Sequence, residues 1–418
     1  MSETQFDLVV FGATSFVGRI LTRYLGEQFG GGGETLNWAI AGRSRERLEE
    51  VRDSLGQQAA ALPLIVADAA DEEALARLCG QTRTVVSTVG PYAQFGEPLL
   101  RTCVRSGTDY CDLTGEVQWV RRMIERYQEE ARRSGARIVH CCGFDSIPSD
   151  MGVYFLQQQF KHRFGQPATR VKMRVRALRG GMSGGTVASL LNTVKEATRD
   201  KQVRRELADP YSLCFMDSGE KVDQPNVRSS QYDEDFKAWL GPFVMAPVNT
   251  RVVLRSNALS GKAYGEAFRY DEAMLTGQDK KGRRRSLMLS AGLRLFMLGV
   301  IVPPSRWFIE RFVVPKPGEG PSLEAQEKGF YDLRFLGKGA EGSTLQVKVT
   351  GDRDPGYGST GKMLGQAAVC LALDTPQDKL EGGFWTPSTH SATVSWRACA
   401  STLGCPSRCL SKVGRNTR

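Results

Sequence analysis

Gly12-Ala13-Thr14-Ser15-Phe16-Val17-Gly18 is the segment of this chain best suited to chemistry. The apolar run Leu8 to Phe11 precedes it, and Ile20, Leu21, Tyr24 and Leu25 follow at helical spacing. A strand that turns at a glycine into a helix aims several backbone N–H groups at one point, where a pyrophosphate binds. The middle position of the loop is Ser15, whose hydroxyl can donate to a phosphate while its Cβ hinders close approach. At the end of the next strand, Trp38-Ala39-Ile40-Ala41 runs into Gly42-Arg43-Ser44-Arg45, with no acid before Glu46. A carboxylate at that place holds a free ribose 2′-hydroxyl, whereas arginine suits a 2′-phosphate. Arg43 and Ser44 therefore point to NADP(H). Asp68, ending a third strand, reads equally as a contact to the adenine edge or as the cap of a helix at 71–79. Val89-Gly90-Pro91, after a fourth strand, reads as a backbone shelf beside the nicotinamide.

Three residues are candidates for moving a proton. Tyr92 is the first phenol past the shelf, read as a substrate contact or proton donor against plain packing. Asp112 lies in Tyr110-Cys111-Asp112-Leu113-Thr114-Gly115-Glu116, and Asp145 in Gly143-Phe144-Asp145-Ser146-Ile147-Pro148-Ser149-Asp150. Turn chemistry alone explains much of both clusters. Burial of either aspartate would raise its pKa and suit it to acid or base work. Cys141 and Cys142 read as core residues, and no metal site is expected from three scattered histidines.

These residues need a scaffold, and the first 140 residues supply its pattern. Strand-like runs at 6–11, 37–41, 63–67, 84–88 and 137–141 alternate with helical patterns at 17–28, 44–55, 71–79, 97–106 and 117–134. Such alternation predicts an α/β fold with a doubly wound parallel sheet over residues 1–150. From 151 to 350 the pattern changes to a second, α+β domain suited to substrate binding or dimer contacts. Strands are expected at 171–178 and 345–349, and a helix at 359–374. Residues 388–418 contain five basic and no acidic residues, three of the ten cysteines and no periodicity. That stretch reads as a disordered or aberrant tail.

The net charge is +10 over 418 residues. Half of it sits in that tail, and no basic stripe interleaved with aromatics appears, so nucleic acid is not an expected partner. The absence of a C-x-x-C pair and of a leader-like start predicts a reduced, cytoplasmic protein. Residues 280–303 join the basic run Lys280-Lys281-Gly282-Arg283-Arg284-Arg285 to an apolar stretch interrupted by Arg294. This is too short and too charged to span a bilayer. A buried or dimer-interface helix, a peripheral membrane contact with a basic collar, and a lid over a greasy pocket remain open readings.

Taken in order, these motifs, with Ala41-Gly42-Arg43 and Asp354-Pro355-Gly356-Tyr357-Gly358, resemble the saccharopine dehydrogenase-like oxidoreductases. Within them, the resemblance is to the branch holding the mycobacterial trans-acting enoyl reductases. It implies an N-terminal Rossmann domain, an inserted α+β domain, and a segment at 351–387 returning to the first domain. It also implies NADP(H) bound at Gly12, Ala13, Thr14, Ser15, Phe16, Val17, Gly18, Arg43 and the Gly90 shelf. Ser15 stands where the family usually carries glycine, and the tail after Pro387 does not resemble the family's closing helix. The implied activity is reduction of a C=C bond in a lipid-like or carrier-bound acyl chain. Saccharopine-type C=N chemistry on an amino-acid adduct and a non-catalytic, membrane-associated NADP-binding scaffold are the alternatives.

Overall fold

The computed structural model describes residues 4–33, 35–180, 184–215, 221–308, 320–391 and 408–409. Its strands are, in chain order, β1 (Phe6–Phe11), β2 (Trp38–Gly42), β3 (Leu64–Val66), β4 (Thr82–Ser87), β5 (Asp109–Asp112), β6 (Arg137–Val139) and β7 (Arg170–Arg179). They continue as β8 (Gln231–Asp233), β9 (Ala238–Gly241), β10 (Arg269–Gly277), β11 (Phe330–Lys338), β12 (Thr344–Gly351), β13 (Gly383–Trp385) and β14 (Arg408–Cys409). One sheet has the order β13-β6-β5-β4-β1-β2-β3, and every pairing in it is parallel. The second has the order β14-β12-β11-β7-β10-β9-β8, parallel only between β7 and β10. The expected Rossmann-type sheet with a second, mixed domain is therefore what the chain forms.

Burial on both faces explains the apolar run Leu8 to Phe11 in β1 and the Val85-Val86 pair in β4. Leu8, Val9 and Val10 of β1 and Val85 and Val86 of β4 are fully buried, with helices above and below. The chain order reverses direction across β1 and β4, which opens a crevice at their carboxyl ends. β5 is a strand that sequence periodicity passed over, because Asp-Tyr-Cys-Asp has no apolar run; sheet pairing with Thr84 to Ser87 makes it one. β13, from near the end of the described chain, adds to the edge of the first sheet beside β6. Arg137 fastens that return. Its guanidinium pairs with Asp109 and donates to the Leu371 and Thr375 carbonyls, all fully buried.

The expectation of a disordered tail from residue 388 fails at its start. Pro387–Ser391 is a helical turn. The Ser388 amide donates to Asp150 at 2.8 Å, and His390 Nε2 lies 3.0 Å from Thr375 Oγ1 in the interior. These polar residues have fixed partners, a signal that composition cannot carry. Residues 392–407 and 410–418 lie outside the described residues.

Candidate functional site

A cavity of about 1750 Å³ opens at the carboxyl ends of β1 and β4 and runs into the second domain. A pocket for one drug-sized ligand is roughly 300–1,000 Å³, so this cavity has room for a dinucleotide and a further ligand.

At the dinucleotide end, Gly12 turns the chain at φ 85°, a conformation open to glycine. A Cβ on Gly18 would lie 2.1 Å from the Gly12 carbonyl oxygen, so the helix can start against the turn only with glycine there. Ser15 caps that helix: its Oγ accepts from the Gly18 amide at 2.9 Å and lies 3.0 Å from Thr88 Oγ1. Gly12, Thr14, Ser15, Phe16, Val17, Arg43, Asp68, Val89 and Gly90 all line the cavity. Ala13, Gly18, Ser44 and Pro91 do not. Ala13 is core, and Gly18 supports the loop from behind. Ser44 caps the Arg45–Asp53 helix and donates to Glu46 at 2.8 Å. Pro91 follows a cis peptide bond from Gly90.

Asp68 is an exposed rim residue whose carboxylate accepts from Ala70 N at 2.9 Å. The capping role considered for it belongs to Asp71, which accepts from Ala74 N at 3.0 Å. Arg47 is a residue the sequence reading missed. One helical turn beyond Arg43, it lines the same wall. Arg45 between them is paired with Glu49 at 3.1 Å, whereas Arg43 and Arg47 have no carboxylate partner among the described residues. Two free guanidinium groups at this place fit a 2′-phosphate.

The three proton candidates are treated very differently. Tyr92 presents a ring to the cavity, but its hydroxyl donates to the Ser87 carbonyl at 3.0 Å. Burial, reinforced by the Asp112 and Glu116 charges, pushes its pKa well above the usual phenol value. Its ring packs against Trp119, and its hydroxyl proton is aimed at the Ser87 carbonyl. Asp112 lies outside the cavity wall and is fully buried. Its Oδ2 lies 2.7 Å from His140 Nδ1, and its Oδ1 accepts from the Thr114 and Cys141 amides at 3.1 and 3.2 Å. Both of its oxygens hold the loop and the His140 ring in place. Asp145 alone is half-buried on the cavity wall with no hydrogen-bond partner among the described residues. Desolvation raises its pKa from 3.8 to about 6. Its loop is held by Thr360, whose Oγ1 accepts from Phe144 N at 3.1 Å and donates to the Pro355 carbonyl at 2.9 Å.

Glu116 was visible only as part of a cluster, yet it joins the domains at the cavity. Its carboxylate accepts from the Tyr92 and Ala93 amides at 2.8 and 3.0 Å and from Ser189 Oγ at 2.8 Å. Burial raises its pKa. The far wall comes from the Gly184–Arg199 and Lys280–Ile301 helices, through Leu190, Val194, Leu293, Met297, Leu298 and Ile301, with Phe243 and Met245. Arg228 and Arg294 are exposed cations on this wall.

Residues 8–139 match the sequence model of the saccharopine dehydrogenase NADP binding domain. A provisionally named trans-acting enoyl reductase of Mycobacterium tuberculosis is 39% identical over 398 residues, covering 92% of this chain and 93% of the relative. The chain belongs to the saccharopine dehydrogenase-like family. The trans-acting enoyl reductase of Mycobacterium bovis is 37% identical over 402 residues, covering 93% of this chain and 94% of its own. The fold matches apo saccharopine dehydrogenase from Saccharomyces cerevisiae with a TM-score of 0.50 at 12% identity, covering 97% and 99% of the two chains. Family membership makes the chain an NADP-binding oxidoreductase, and the observed wall fits that cofactor. The Gly12–Gly18 cradle leaves room for a pyrophosphate, and Arg43 and Arg47 are free for the 2′-phosphate.

Proposed function

We propose that this chain reduces a C=C bond in a lipid-like or carrier-bound acyl chain, using NADPH. The observation that carries the reading is the cavity's division of labour. One end is a dinucleotide cradle, the far wall is apolar, and one unpartnered carboxyl, Asp145, faces the space they share. NADPH supplies the hydride when bound. The Gly12–Gly18 loop and the two arginines hold and orient it. The apolar wall takes up an acyl chain and keeps water from the reacting carbons. Hydride at one carbon of the double bond leaves negative charge at the other; Asp145 donates the proton there and recovers one from solvent. A pKa of about 6 keeps Asp145 largely protonated below that pH, with about a tenth still protonated at pH 7, and lets it release its proton readily.

Arg228 and Arg294 support a second reading. They give an anionic end group a place to bind, as the carboxylates of an amino-acid imine adduct would need. The test measures NADPH oxidation with enoyl thioesters of increasing chain length and, in parallel, with a 2-oxo acid plus an amino acid. Turnover that rises with acyl length supports the enoyl reading. Turnover only with the amino-acid pair transfers the site to C=N chemistry. Cofactor binding with no turnover on either would leave a non-catalytic scaffold.

A further inference from the structure

The Lys280–Ile301 helix leaves a second apolar face in solvent. Its buried positions are Gly282, Ser286, Ser290 and Val300, three of them small or polar. Ser286 donates to the Leu240 carbonyl, and Thr276 Oγ1 donates to the Gly282 carbonyl at 2.9 Å, which fastens this thin face to β9 and β10. Several bulky apolar residues point outward. Met288 is 65% exposed, Leu295 72% and Leu298 60%, with Leu287 and, just past the helix, Val302 about half exposed. Met288, Leu295 and Val302 recur every seven residues, so they share one face over roughly 21 Å at 1.5 Å per residue. An ordinary surface helix of a folded domain turns its apolar face to the core.

Charge is equally one-sided. From Lys280 to Phe308 there are seven basic residues and no acidic one. Five of the seven, Lys280, Lys281, Arg283, Arg284 and Arg285, form a collar in the first turns. We infer that this helix docks the protein on an anionic lipid bilayer, with Met288, Leu295 and Leu298 entering the acyl region and the basic collar contacting lipid headgroups. A helix that lies in the interface has this combination of exposed bulky apolar side chains and flanking cations. Each basic residue near an anionic surface adds about 1 kcal/mol. A second copy of the chain is a poorer occupant, because both copies would bring a segment with seven basic and no acidic residues to the contact. Leu298 and Ile301 also line the cavity, so the docked helix forms the border between the bilayer and the site. If the reductase reading holds, an acyl chain can pass from one to the other along it.

Sedimentation of the purified full chain with vesicles tests this, using phosphatidylcholine alone and phosphatidylcholine mixed with phosphatidylserine. Binding is expected to the mixed vesicles and to weaken with salt. The pair Arg284→Glu/Arg285→Glu is expected to lower affinity roughly tenfold or more, and Met288→Glu/Leu295→Glu to abolish it. None of these four residues lines the cavity, so the thermal stabilisation by NADPH should be unchanged in both variants, which shows that they fold. No binding to mixed vesicles, or binding indifferent to both pairs, overturns the inference. So does a dimer in solution that the apolar pair dissolves, or capture by an acidic carrier protein without vesicle binding. Sedimentation reads docking without turnover, so this inference and the reductase reading fail separately.

Discussion

Ser15 Oγ and Thr88 Oγ1 stand 3.0 Å apart, across the crevice between β1 and β4. Thr88 in turn donates to the Gly12 carbonyl at 2.9 Å, while Ser15 accepts from Gly18 N. The serine in the glycine-rich loop is thus an internal brace. It caps the Phe16–Phe29 helix and ties the loop to the strand end opposite. Replacing it with alanine removes a cap, which costs about 1 kcal/mol. Ser15→Ala should therefore unfold at a lower temperature than the parent in the absence of nucleotide. Ser15→Gly should lose only a few tenths of that unit. An unchanged midpoint for Ser15→Ala would show that the brace contributes nothing.

The guanidinium groups of Arg43 and Arg47 have no carboxylate partner among the described residues, and the one between them has one. If they hold the 2′-phosphate, Arg43→Ala and Arg47→Ala should each weaken NADPH about 10- to 100-fold, the usual worth of a charge-assisted hydrogen bond. NADH should be nearly unaffected. Arg45→Ala, which removes an exposed ion pair, should change neither. Thermal shift titrations with both nucleotides read all three variants.

Much of this was legible in the chain itself, for a physical reason. β1, β2 and β4 are buried on both faces at their centres, so each carries an apolar stretch (Leu8 to Phe11, Trp38 to Ala41, and Val85-Val86), while Gly12 turns at positive φ and a Cβ on Gly18 would strike the Gly12 carbonyl. Local necessity of that kind leaves a local trace. Arg43 was legible by its place after β2. Arg47 was not, because an arginine in a charged helix looks the same whether it faces water or a cavity. The sequence could not rank the three proton candidates for the same reason. Tyr92, Asp112 and Asp145 each lie at or just past a strand end, and only the partners separate them: Ser87 and His140 engage two, and among the described residues nothing engages the third. Those partners are brought in by tertiary packing. The helical turn at 387–391 was hidden likewise, since its order depends on Asp150 and Thr375, far away in sequence.

Asp145 makes a pH dependence testable in sign. Its pKa in the folded chain is about 6, above the ordinary 3.8, so the folded state binds the proton more tightly than the unfolded state. This group's stabilising contribution is therefore complete below about pH 4 and is lost as the pH rises through 6. As a proton donor it should make kcat/KM level below about pH 6 and fall tenfold per unit above it. Asp145→Asn should abolish that limb and reduce NADPH oxidation about 10²- to 10⁴-fold, with NADPH binding retained. A parent profile without a break near pH 6 would remove Asp145 from the proton step.

Arg137 carries a different load. It is wholly buried, paired with the equally buried Asp109, and it holds the Leu371 and Thr375 carbonyls of the returning segment. Despite the ion pair, desolvation leaves the Asp109 pKa raised, so the carboxylate depends on its partner to stay charged. Arg137→Ala leaves that charge uncompensated in the interior, a change that costs about 3–5 kcal/mol. Denaturant unfolding should show that loss. The double variant Arg137→Leu/Asp109→Leu should recover part of it, because apolar groups of similar bulk need no compensation.

The apolar wall should set which substrates turn over. Met297 lies on it, between Leu293 and Ile301, and is half-buried with cavity on one side. Tryptophan at this position takes up volume that a long acyl chain would fill, without touching the Gly12–Gly18 loop or the arginines. Misfit by a single methylene in an apolar pocket already changes discrimination about 10- to 200-fold. Met297→Trp should therefore lower kcat/KM for long enoyl thioesters by that order and leave short ones and NADPH affinity near the parent values. A loss shared equally by long and short substrates would mean that the chain does not lie along this wall, and the lipid-like substrate would lose its main structural support.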